Sequence, residues 1–506
     1  MRPCIISRRL IPSYHSIQAR RFASKFDIPR KLSLTLSTKA SKKAVIEKLH
    51  QHLANPRGPT SKSTEYEAKY EAAIFASRDF ATWLEDDSFM GSILENLFKL
   101  QINPEPILGD RFATHRIDVL SAVVDGLTPQ RLFGEPQTGF SILYGPKTSV
   151  YSDLWNKEEF GSNVNQNKEA SVTFECNPLF NGQPSLETTL PLANTMFQNG
   201  RRSTLLANAW VRHRNGLLSR LMDEEKRTQK IRWGADATHT RPLLPLLPLT
   251  PPRKIVGGLG NIVRQVEVDG VPTPASKELE SLIPKVLDAR SERDDSYSPG
   301  PIGVWCWVMP PDVADKLRDL EVFQFESSQS EAELSAKTRD TFSILPAHRC
   351  RLHKILSGGG GWGLKQGLLS LDPETTYSFS EQEDTEMFIK AFMERDSPSP
   401  SEGLVTPGSY IMFCIEPHRT AEEVRSSPQL TSTVALSVAP NNDEELDRVN
   451  LSDDIIVVDD HFGVASKAGL FLRSQGRTGE SGGEFTSKID SPNATLLLAG
   501  DLTLPT

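Results

Sequence analysis

The sequence predicts an α+β protein of several domains, in which an N-terminal helical region is followed by mixed α/β domains. Apolar residues between positions 41 and 100 recur at helical spacing, and short apolar segments typical of strands follow from about residue 130. Helices therefore precede the mixed part instead of alternating with strands throughout, which favours α+β over a doubly wound sheet. A chain of 506 residues, 38% hydrophobic and 24% charged, has room for two or three domains.

Three helices are predicted in the N-terminal region. An apolar stripe over 45–53 indicates the first helix, and a stripe over 90–98 indicates the third. Between them, Thr64 and Glu67 have the spacing of a capping box, which predicts a helix that continues to residue 74.

Beyond residue 130 the pattern is mixed. Segments 139–144, 172–176, 304–308 and 409–415 are short and apolar, as strands are. The leucines and Trp210 of segment 203–221 predict a helix.

A proline-leucine segment covers residues 242–252, with proline at every third position from Pro242 to Pro251. This period matches the three residues per turn of polyproline II. Because its leucines are too apolar for a free linker, we expect the segment to lie on a hydrophobic surface, its own or a partner's.

Changes in composition along the chain predict six segments. They are a transit peptide over 1–22, a helical region over 23–130, a mixed α/β domain over 131–274, a charged linker over 275–300, a second mixed α/β domain over 301–473 and a flexible tail with a short terminal strand over 474–506.

The N-terminus has the composition of a mitochondrial transit peptide. Residues 1–22 contain five arginines and several serines, and no acidic residue comes before Asp27. Cleavage after Phe22 is expected, and the alternative is a disordered basic arm. The prediction places the protein in the mitochondrion, in the matrix, without a transmembrane segment, because no apolar run approaches about 18 residues.

The charge distribution is uneven. Loss of the leader's five arginines takes the net charge from −8 to −13, which argues against nonspecific coating of nucleic acid. Residues 200–254 nevertheless hold twelve basic and four acidic residues, whereas residues 371–402 hold nine acidic and two basic ones. The two blocks either face each other or each face a partner.

A glycine-rich loop is the first candidate for a ligand site. Its backbone N–H groups could wrap an anion, with a lysine to supply charge. It is not a phosphate-binding Walker loop, because Leu364 stands where the lysine belongs. The alternative is a tight turn with a docked tryptophan. The candidate ligand-binding residues are Gly358, Gly359, Gly360, Gly361, Trp362, Gly363 and Lys365.

Residues 348–373, with the motif Leu-His-Lys-Ile-Leu-Ser-Gly-Gly-Gly-Gly-Trp-Gly-Leu-Lys-Gln-Gly-Leu-Leu-Ser-Leu-Asp-Pro from Leu352, resemble a family of uncharacterised fungal mitochondrial proteins. The resemblance agrees with the leader. It implies no activity, cofactor or site residue.

Asp459, Asp460 and His461 are catalytic candidates. They follow an apolar run, and strand ends can present carboxylates and an imidazole to a cleft for proton transfer or a divalent metal. The alternative is a solvated strand end. His348, Cys350 and His353 also lie close in sequence, but neighbouring arginines oppose a cation, so a structural role is favoured and no metal site is predicted.

Arg201, Arg202, Arg212 and Arg214 are candidates for contact with RNA or a partner, because Trp210 lies among them and could stack on a base. The alternative is that these arginines contact acidic regions of the same chain.

The sequence thus favours a soluble mitochondrial accessory protein that acts by binding, in organelle gene expression or in the assembly of respiratory complexes. The alternative is an enzyme or ligand-binding protein for a phosphate-bearing small molecule. No complete catalytic signature decides whether it is an enzyme, and no cofactor is indicated.

Overall fold

The computed structural model describes most of the chain. The described residues are 29–54, 69–98, 116–151, 153–156, 167–176, 186–213, 218–233, 240–294, 297, 300, 302–324, 330–358, 367–379, 404–440, 455–474 and 485–503.

Seven α-helices lie in this part of the chain. They are α1 (Lys42–Ala54), α2 (Asp87–Phe98), α3 (Met196–Asn199), α4 (Lys277–Arg293), α5 (Pro311–Lys316), α6 (Glu331–Ile344) and α7 (Ala421–Arg425). Short 3₁₀ helices cover Arg78–Glu85 and Pro346–His348.

Strands form the larger part of the regular structure. They are β1 (Arg30–Thr35), β2 (Lys69–Ser77), β3 (Arg116–Val124), β4 (Gly139–Pro146), β5 (Ser171–Cys176), β6 (Leu186–Pro191), β7 (Asn194–Thr195), β8 (Arg201–Ser203), β9 (Leu205–Arg212), β10 (Leu218–Glu225), β11 (Thr228–Trp233), β12 (Arg241–Leu243), β13 (Leu247–Pro248), β14 (Arg253–Leu259), β15 (Ile262–Val268), β16 (Val271–Pro274), β17 (Val304–Met309), β18 (Arg351–Gly358), β19 (Leu369–Leu371), β20 (Tyr410–Ile415), β21 (Gln429–Val438), β22 (Ile456–Asp459), β23 (Phe462–Ser466), β24 (Leu470–Ser474), β25 (Phe485–Ile489) and β26 (Thr495–Thr503).

The largest open sheet has seven strands in the order β10-β9-β3-β2-β4-β1-β22. β2 and β3 run parallel at its centre, and the other neighbours are antiparallel. Helices α1 and α2 cover one face, where Leu32, Leu49, Phe89 and Trp210 belong to one buried cluster. The other face packs into the main core of the molecule through Phe75 and its neighbours.

Two smaller sheets complete the main core. One has the order β11-β5-β6-β24-β25 and the other β12-β26-β21-β23, while β7 and β8 form a separate hairpin. Both sheets contribute apolar side chains to the cluster that contains Phe174, Leu436, Phe462 and Leu496.

The remaining sheet closes on itself. Its strands follow the path β13-β20-β14-β15-β19-β18-β17, and β17 also pairs with β20. Because side chains alternate across a strand, Cys306 and Val308 of β17 point into its enclosed core, whereas Trp305 and Trp307 point to the main core. The continuous apolar run of β17 is therefore buried on both faces.

The predicted mixed α/β character is confirmed, but a helical N-terminal region is not shown, because strands accompany the helices there. α1 and α2 match the first and third predicted helices, while Tyr70 and Ile74 lie in β2 instead of a helix. β2 is buried on both faces at the centre of the sheet, so its apolar residues show no strand alternation. The N-terminal part is a sheet with two helices packed on it.

The helix predicted over 203–221 is also wrong, because most of its described residues lie in β8, β9 and β10. In β9 residues of both faces are buried, including Leu205, Leu206 and Trp210. The resulting apolar spacing resembles that of a helix although the backbone is extended.

The proline-leucine segment was expected to lie on a hydrophobic surface of the protein itself or of a partner. In the structure it lies on the protein's own surfaces. Leu243, Leu244, Leu246, Leu247 and Leu249 are all buried, and they belong to three different clusters. The segment thus connects the main core with the core of the closed sheet.

Strand pairing crosses the expected segment boundaries. β22, from the predicted domain 301–473, pairs with β1 of the N-terminal region, and β24 pairs with β6. The expected charged linker over 275–300 is mostly helix α4, and the last strand, β26, pairs with β21 over much of its length. The predicted leader, residues 1–22, lies outside the described residues. None of the described helices has the length and hydrophobicity required to cross a membrane.

The closed sheet depends on its enclosed apolar side chains. Phe413 in β20 is fully buried, whereas Phe197 in α3 is 98% exposed. We expect Phe413→Ala to lower the free energy of unfolding by about 3–5 kcal/mol, because it leaves a cavity. Phe197→Ala is the matched control and should change it by less than about 0.5 kcal/mol. Urea unfolding checks both, and equal effects would contradict the described packing.

Candidate functional site

A polar pocket of about 330 Å³ opens beside the closed sheet, at the point where β20 ends. Charged and aromatic side chains from distant parts of the chain line it. They include Phe133, Glu135, Arg290, Glu416, His418 and Arg419. We refer to it as the β20 pocket.

Three structural elements fix its position. β20 is the strand shared by β17 and β14 in the closed sheet, and residues 416–419 leave directly from its end. Arg290 lies in the last turn of α4, and Glu331 lies in the first turn of α6. The helix start is set by Ser330, whose hydroxyl accepts the N–H of Glu333 at 3.0 Å, and an acidic first turn suits the positive end of the helix dipole.

A buried ion pair between Arg290, which lines the pocket, and Glu331 lies beside the site. Arg290 donates from Nε and Nη2 to the two carboxylate oxygens of Glu331 at 3.0 and 2.8 Å, and the side chains are only 7% and 5% exposed. Burial disfavours the guanidinium charge, but the hydrogen bonds and charge of Glu331 outweigh it and raise the pKa of Arg290. The Arg290 guanidinium is therefore charged in the folded protein.

The same pair holds the backbone that follows β20. Arg290 Nη2 also donates to the carbonyl oxygen of Glu416 at 2.6 Å, and Glu331 accepts the backbone N–H of His418 at 2.6 Å. The orientation of residues 416–418 is thus set by two charge-assisted hydrogen bonds. His418 is further held by Asp294, whose Oδ2 lies 3.1 Å from its Nε2.

Arg419 also lines the pocket, where its guanidinium contacts an aromatic ring and a hydroxyl group. Its Cζ lies 3.8 Å from the centroid of the Phe133 ring, and its Nη2 donates to the hydroxyl of Ser335 at 3.3 Å. No acidic group of the described residues forms an ion pair with it within 4 Å. Burial lowers the pKa of Arg419 to about 10 and Arg339 contributes, while the charges of Glu416, Glu423 and Glu331 act in the opposite direction.

Glu416 is the corresponding acidic group. Burial is the main cause that raises its pKa to about 7, and Arg419 and Arg290 oppose this shift. Within the described part of the chain, its carboxyl group has no hydrogen-bond or ion-pair partner. The pocket therefore contains a carboxyl group and a guanidinium that interact through space without contacting each other.

The side chains of Asp459, Asp460 and His461 contact different partners. Asp459 lies 2.7 Å from His52 Nε2, and Asp460 pairs with Lys31 at 3.2 Å. The His461 ring is buried, with Nδ1 2.9 Å from the hydroxyl of Ser33, and burial lowers its pKa to about 4. A buried neutral imidazole, a histidine–aspartate contact and one ion pair thus connect the end of β22 to β1 and α1.

The glycine loop lies outside the described residues except for its first member. Gly358 ends β18 opposite Leu369, and a Cβ at this position would come within 2.5 Å of the leucine side chain. Gly359 to Gly363, Trp362 and Lys365 are not described, so the anion-binding prediction for this loop stays a prediction.

Members of the basic block are paired within the chain. Arg201 contacts Glu85 and Glu225, and Arg202 lies 3.6 Å from Glu169. Trp210 is fully buried beneath the Arg220 guanidinium, so it is not placed to stack on a base. Arg212 ends β9, half-buried, and Arg214 lies outside the described residues.

His348, Cys350 and His353 are not brought together as ligands. His348 lines a second pocket, of about 420 Å³, beside Asp312, whereas Cys350 and His353 are buried. His353 Nδ1 lies 2.9 Å from the carbonyl oxygen of Asp372, and burial lowers the pKa of His353 to about 4. Among the described residues, no group of three acidic, histidine or cysteine side chains is arranged to hold a metal ion.

The four described cysteines have the features of unreactive thiols. Cys176, Cys306, Cys350 and Cys414 are buried and unpaired with one another, and burial raises the pKa of each, to about 11 for Cys176 and about 12 for Cys350. A protonated, enclosed thiol is a poor nucleophile. Their role is packing.

The sequence did not identify the β20 pocket. Its members are scattered from Phe133 to Arg419, and none has a motif spacing. The one local signal was Glu331 directly after Ser330, at the start of a helix, which indicates a helix N-terminus but not a partner for Arg290.

Comparison with known proteins gives no relative: no family model matches the chain, no curated protein matches its sequence, and no solved structure matches it. The resemblance of residues 348–373 to fungal mitochondrial proteins therefore stays a prediction.

The Arg290–Glu331 pair should be strongly coupled. Glu331→Gln is expected to lower the free energy of unfolding by about 3–5 kcal/mol, because it leaves a buried guanidinium without its counter-charge. Arg290→Met combined with Glu331→Leu should cost less than the two single changes added together. Glu47→Gln, in the exposed pair with Lys43, is the control and should have almost no effect. Additive costs in urea unfolding would contradict the pairing.

Glu416 should make stability depend on pH. Its pKa of about 7 lies above the ordinary value of 4.5, so between these values the folded protein binds more protons than the unfolded chain. Stability is then lost as the pH rises through 7. The free energy of unfolding of Glu416→Gln should therefore increase relative to that of the wild type, by roughly 2–3 kcal/mol from pH 5 to pH 8.

Urea unfolding at the two pH values measures this difference. Glu422→Gln, an exposed change in α7, is the control and should show none. Besides Arg419 and Arg290, Glu135 and Lys354 act on the Glu416 carboxyl group through their charges. A pH-independent difference for Glu416→Gln would mean that its carboxyl group titrates normally.

Proposed function

We propose that this protein acts by binding, and that the β20 pocket holds a small polar ligand. The single observation that carries the proposal is the pair of oppositely charged groups, Glu416 and Arg419, that line a pocket without satisfying each other. Charged groups taken out of water are normally paired or fully hydrogen-bonded, and exceptions are typical of binding and catalytic sites.

The surroundings suit recognition more than chemistry. Phe133, Pro417 and Val424 supply apolar contact area beside a few fixed polar groups, as in small-molecule sites. Arg290 and Glu331 are occupied with each other and with the backbone, so they hold the site in place. His418 lines the pocket, and its Nε2 contacts Asp294. The described cysteines and the imidazoles of His353 and His461 are enclosed elsewhere.

This proposal keeps the binding role that the sequence favours, but it places the ligand site in the β20 pocket instead of the glycine loop. The accessory role in the mitochondrion remains part of the proposal, because the basic leader supports import. Arg201 and Arg202 already have acidic partners, which weakens the case for RNA. The glycine loop supports a phosphate-bearing ligand only through its composition, whereas the β20 pocket is supported by defined contacts.

A thermal-shift screen of the full chain tests the proposal. A library of small carboxylates, amines, amino acids and phosphates should contain at least one compound that stabilises the protein. A ligand at about 100 times its dissociation constant adds about 2.7 kcal/mol to the free energy of unfolding. The shift should be lost in Arg419→Gln and in Glu416→Gln.

The controls are Arg425→Gln and Glu422→Gln, which change the same residue types at exposed positions of α7. They should keep the shift. If the shifts of all hits survive in both pocket variants, the ligand binds elsewhere and the proposal for this pocket fails.

A further inference from the structure

We propose that the ligand of the β20 pocket is a zwitterion of the amino-acid class, a molecule with a carboxylate and an ammonium group a few bonds apart. This inference rests on the proposed function, because it names the ligand of that same pocket. It follows from which groups in the pocket are already satisfied and which are not.

Arg419 is the group that would receive the carboxylate. The Phe133 ring covers one face of its guanidinium, and Ser335 accepts only one of its hydrogen bonds. A guanidinium has five N–H donors in a planar fork, which matches the two oxygens of a carboxylate. Arg290 cannot serve in the same way, because Glu331 and the carbonyl of Glu416 already occupy its Nε and Nη2.

Glu416 is the group that would receive the ammonium. Its side chain is half-buried and has no hydrogen-bond or ion-pair partner among the described residues, and Glu135 places a second acidic side chain at the same pocket. Burial favours the protonated form of Glu416. An ammonium group within hydrogen-bond distance would favour the ionised form instead, so the ligand would replace the proton as the compensating charge.

Ligands with a single charge match the pocket less well than a zwitterion, because the pocket presents both a guanidinium and carboxyl groups. An anion alone would satisfy Arg419 but would lie beside Glu416 and Glu135. A monoamine would satisfy the acidic groups but would meet the Arg419 guanidinium. A molecule that carries both charges aligns with both groups at once, and its neutral sum suits a partly enclosed site.

The size of the pocket agrees with a ligand of this kind. A volume of about 330 Å³ is at the small end of the range of roughly 300–1,000 Å³ for small-molecule sites, so a single amino acid fits better than a dinucleotide. Ile302, Pro417 and Val424 leave an apolar part of the wall for a side chain.

Isothermal titration calorimetry on the full chain tests the inference with three probes of matched shape. L-leucine carries both charges, 3-methylbutylamine lacks its carboxylate, and 4-methylpentanoate lacks its ammonium group. The remaining common L-amino acids extend the zwitterionic arm, since the side chain that fits best is a separate variable. For an amino acid that binds, loss of either charged group should weaken affinity about 10- to 100-fold, the range of a charge-assisted hydrogen bond.

The pocket variants assign the two contacts. Arg419→Gln and Glu416→Gln should each weaken binding of the amino acid by a similar factor, while Arg425→Gln and Glu422→Gln should leave it unchanged. In Arg419→Gln the affinity for 3-methylbutylamine should rise relative to that for the amino acid, because the opposing charge is gone. This exchange of preference separates direct contact from a general loss of folding, which circular dichroism would show.

The outcomes are distinct. If singly charged probes bind as tightly as amino acids and depend on Glu416 or Arg419, the zwitterion is wrong and the pocket remains a ligand site. If no amino acid binds while a phosphate or other compound of the wider screen binds through these residues, the inference fails in the same way. If no compound of any class depends on either residue, both the inference and the proposed function are wrong.

Discussion

The buried pair of Arg290 and Glu331 is the constraint on which the pocket depends. It joins the last turn of α4 to the first turn of α6, and it holds the backbone of residues 416–418 through two further hydrogen bonds. A buried ion pair of this type adds little net stability compared with apolar packing, but the loss of one partner is costly. Here the pair fixes the direction in which the backbone leaves β20. It therefore fixes the positions of Glu416 and Arg419.

The closed sheet gives this arrangement a rigid base. β17 and β20 are apolar on both faces, with one face turned to the enclosed core and the other to the main core that the remaining sheets share. The chain segment that leaves β20 thus starts from a strand with little freedom to move. Polar groups at the end of such a strand can remain incompletely compensated, because the surrounding packing supplies the stability that they do not.

The polar groups that look most reactive in the sequence have structural contacts, whereas the groups of the pocket have no sequence signature. Asp459, Asp460 and His461 stand together in the chain but turn to His52, Lys31 and Ser33, respectively. β22 ends at Asp459 and Asp460 has a φ of 58°, so the chain turns between these residues and their side chains do not enter one site. Conversely, Phe133, Arg290 and Arg419 are separated by well over a hundred residues and meet only through the fold.

The sequence alone determined the helices α1 and α2, several strands such as β4, β5, β17 and β20, and the burial of the proline-leucine segment, because each depends on a local period or on local hydrophobicity. Only the tertiary structure decided that residues 69–77 and 205–212 are strands, since central strands buried on both faces lose their alternation. It also decided the pairing of Arg290 with Glu331. Such a pairing depends on which distant segments are packed together, and the burial that follows from packing gives Glu416 and Arg419 their shifted pKa values.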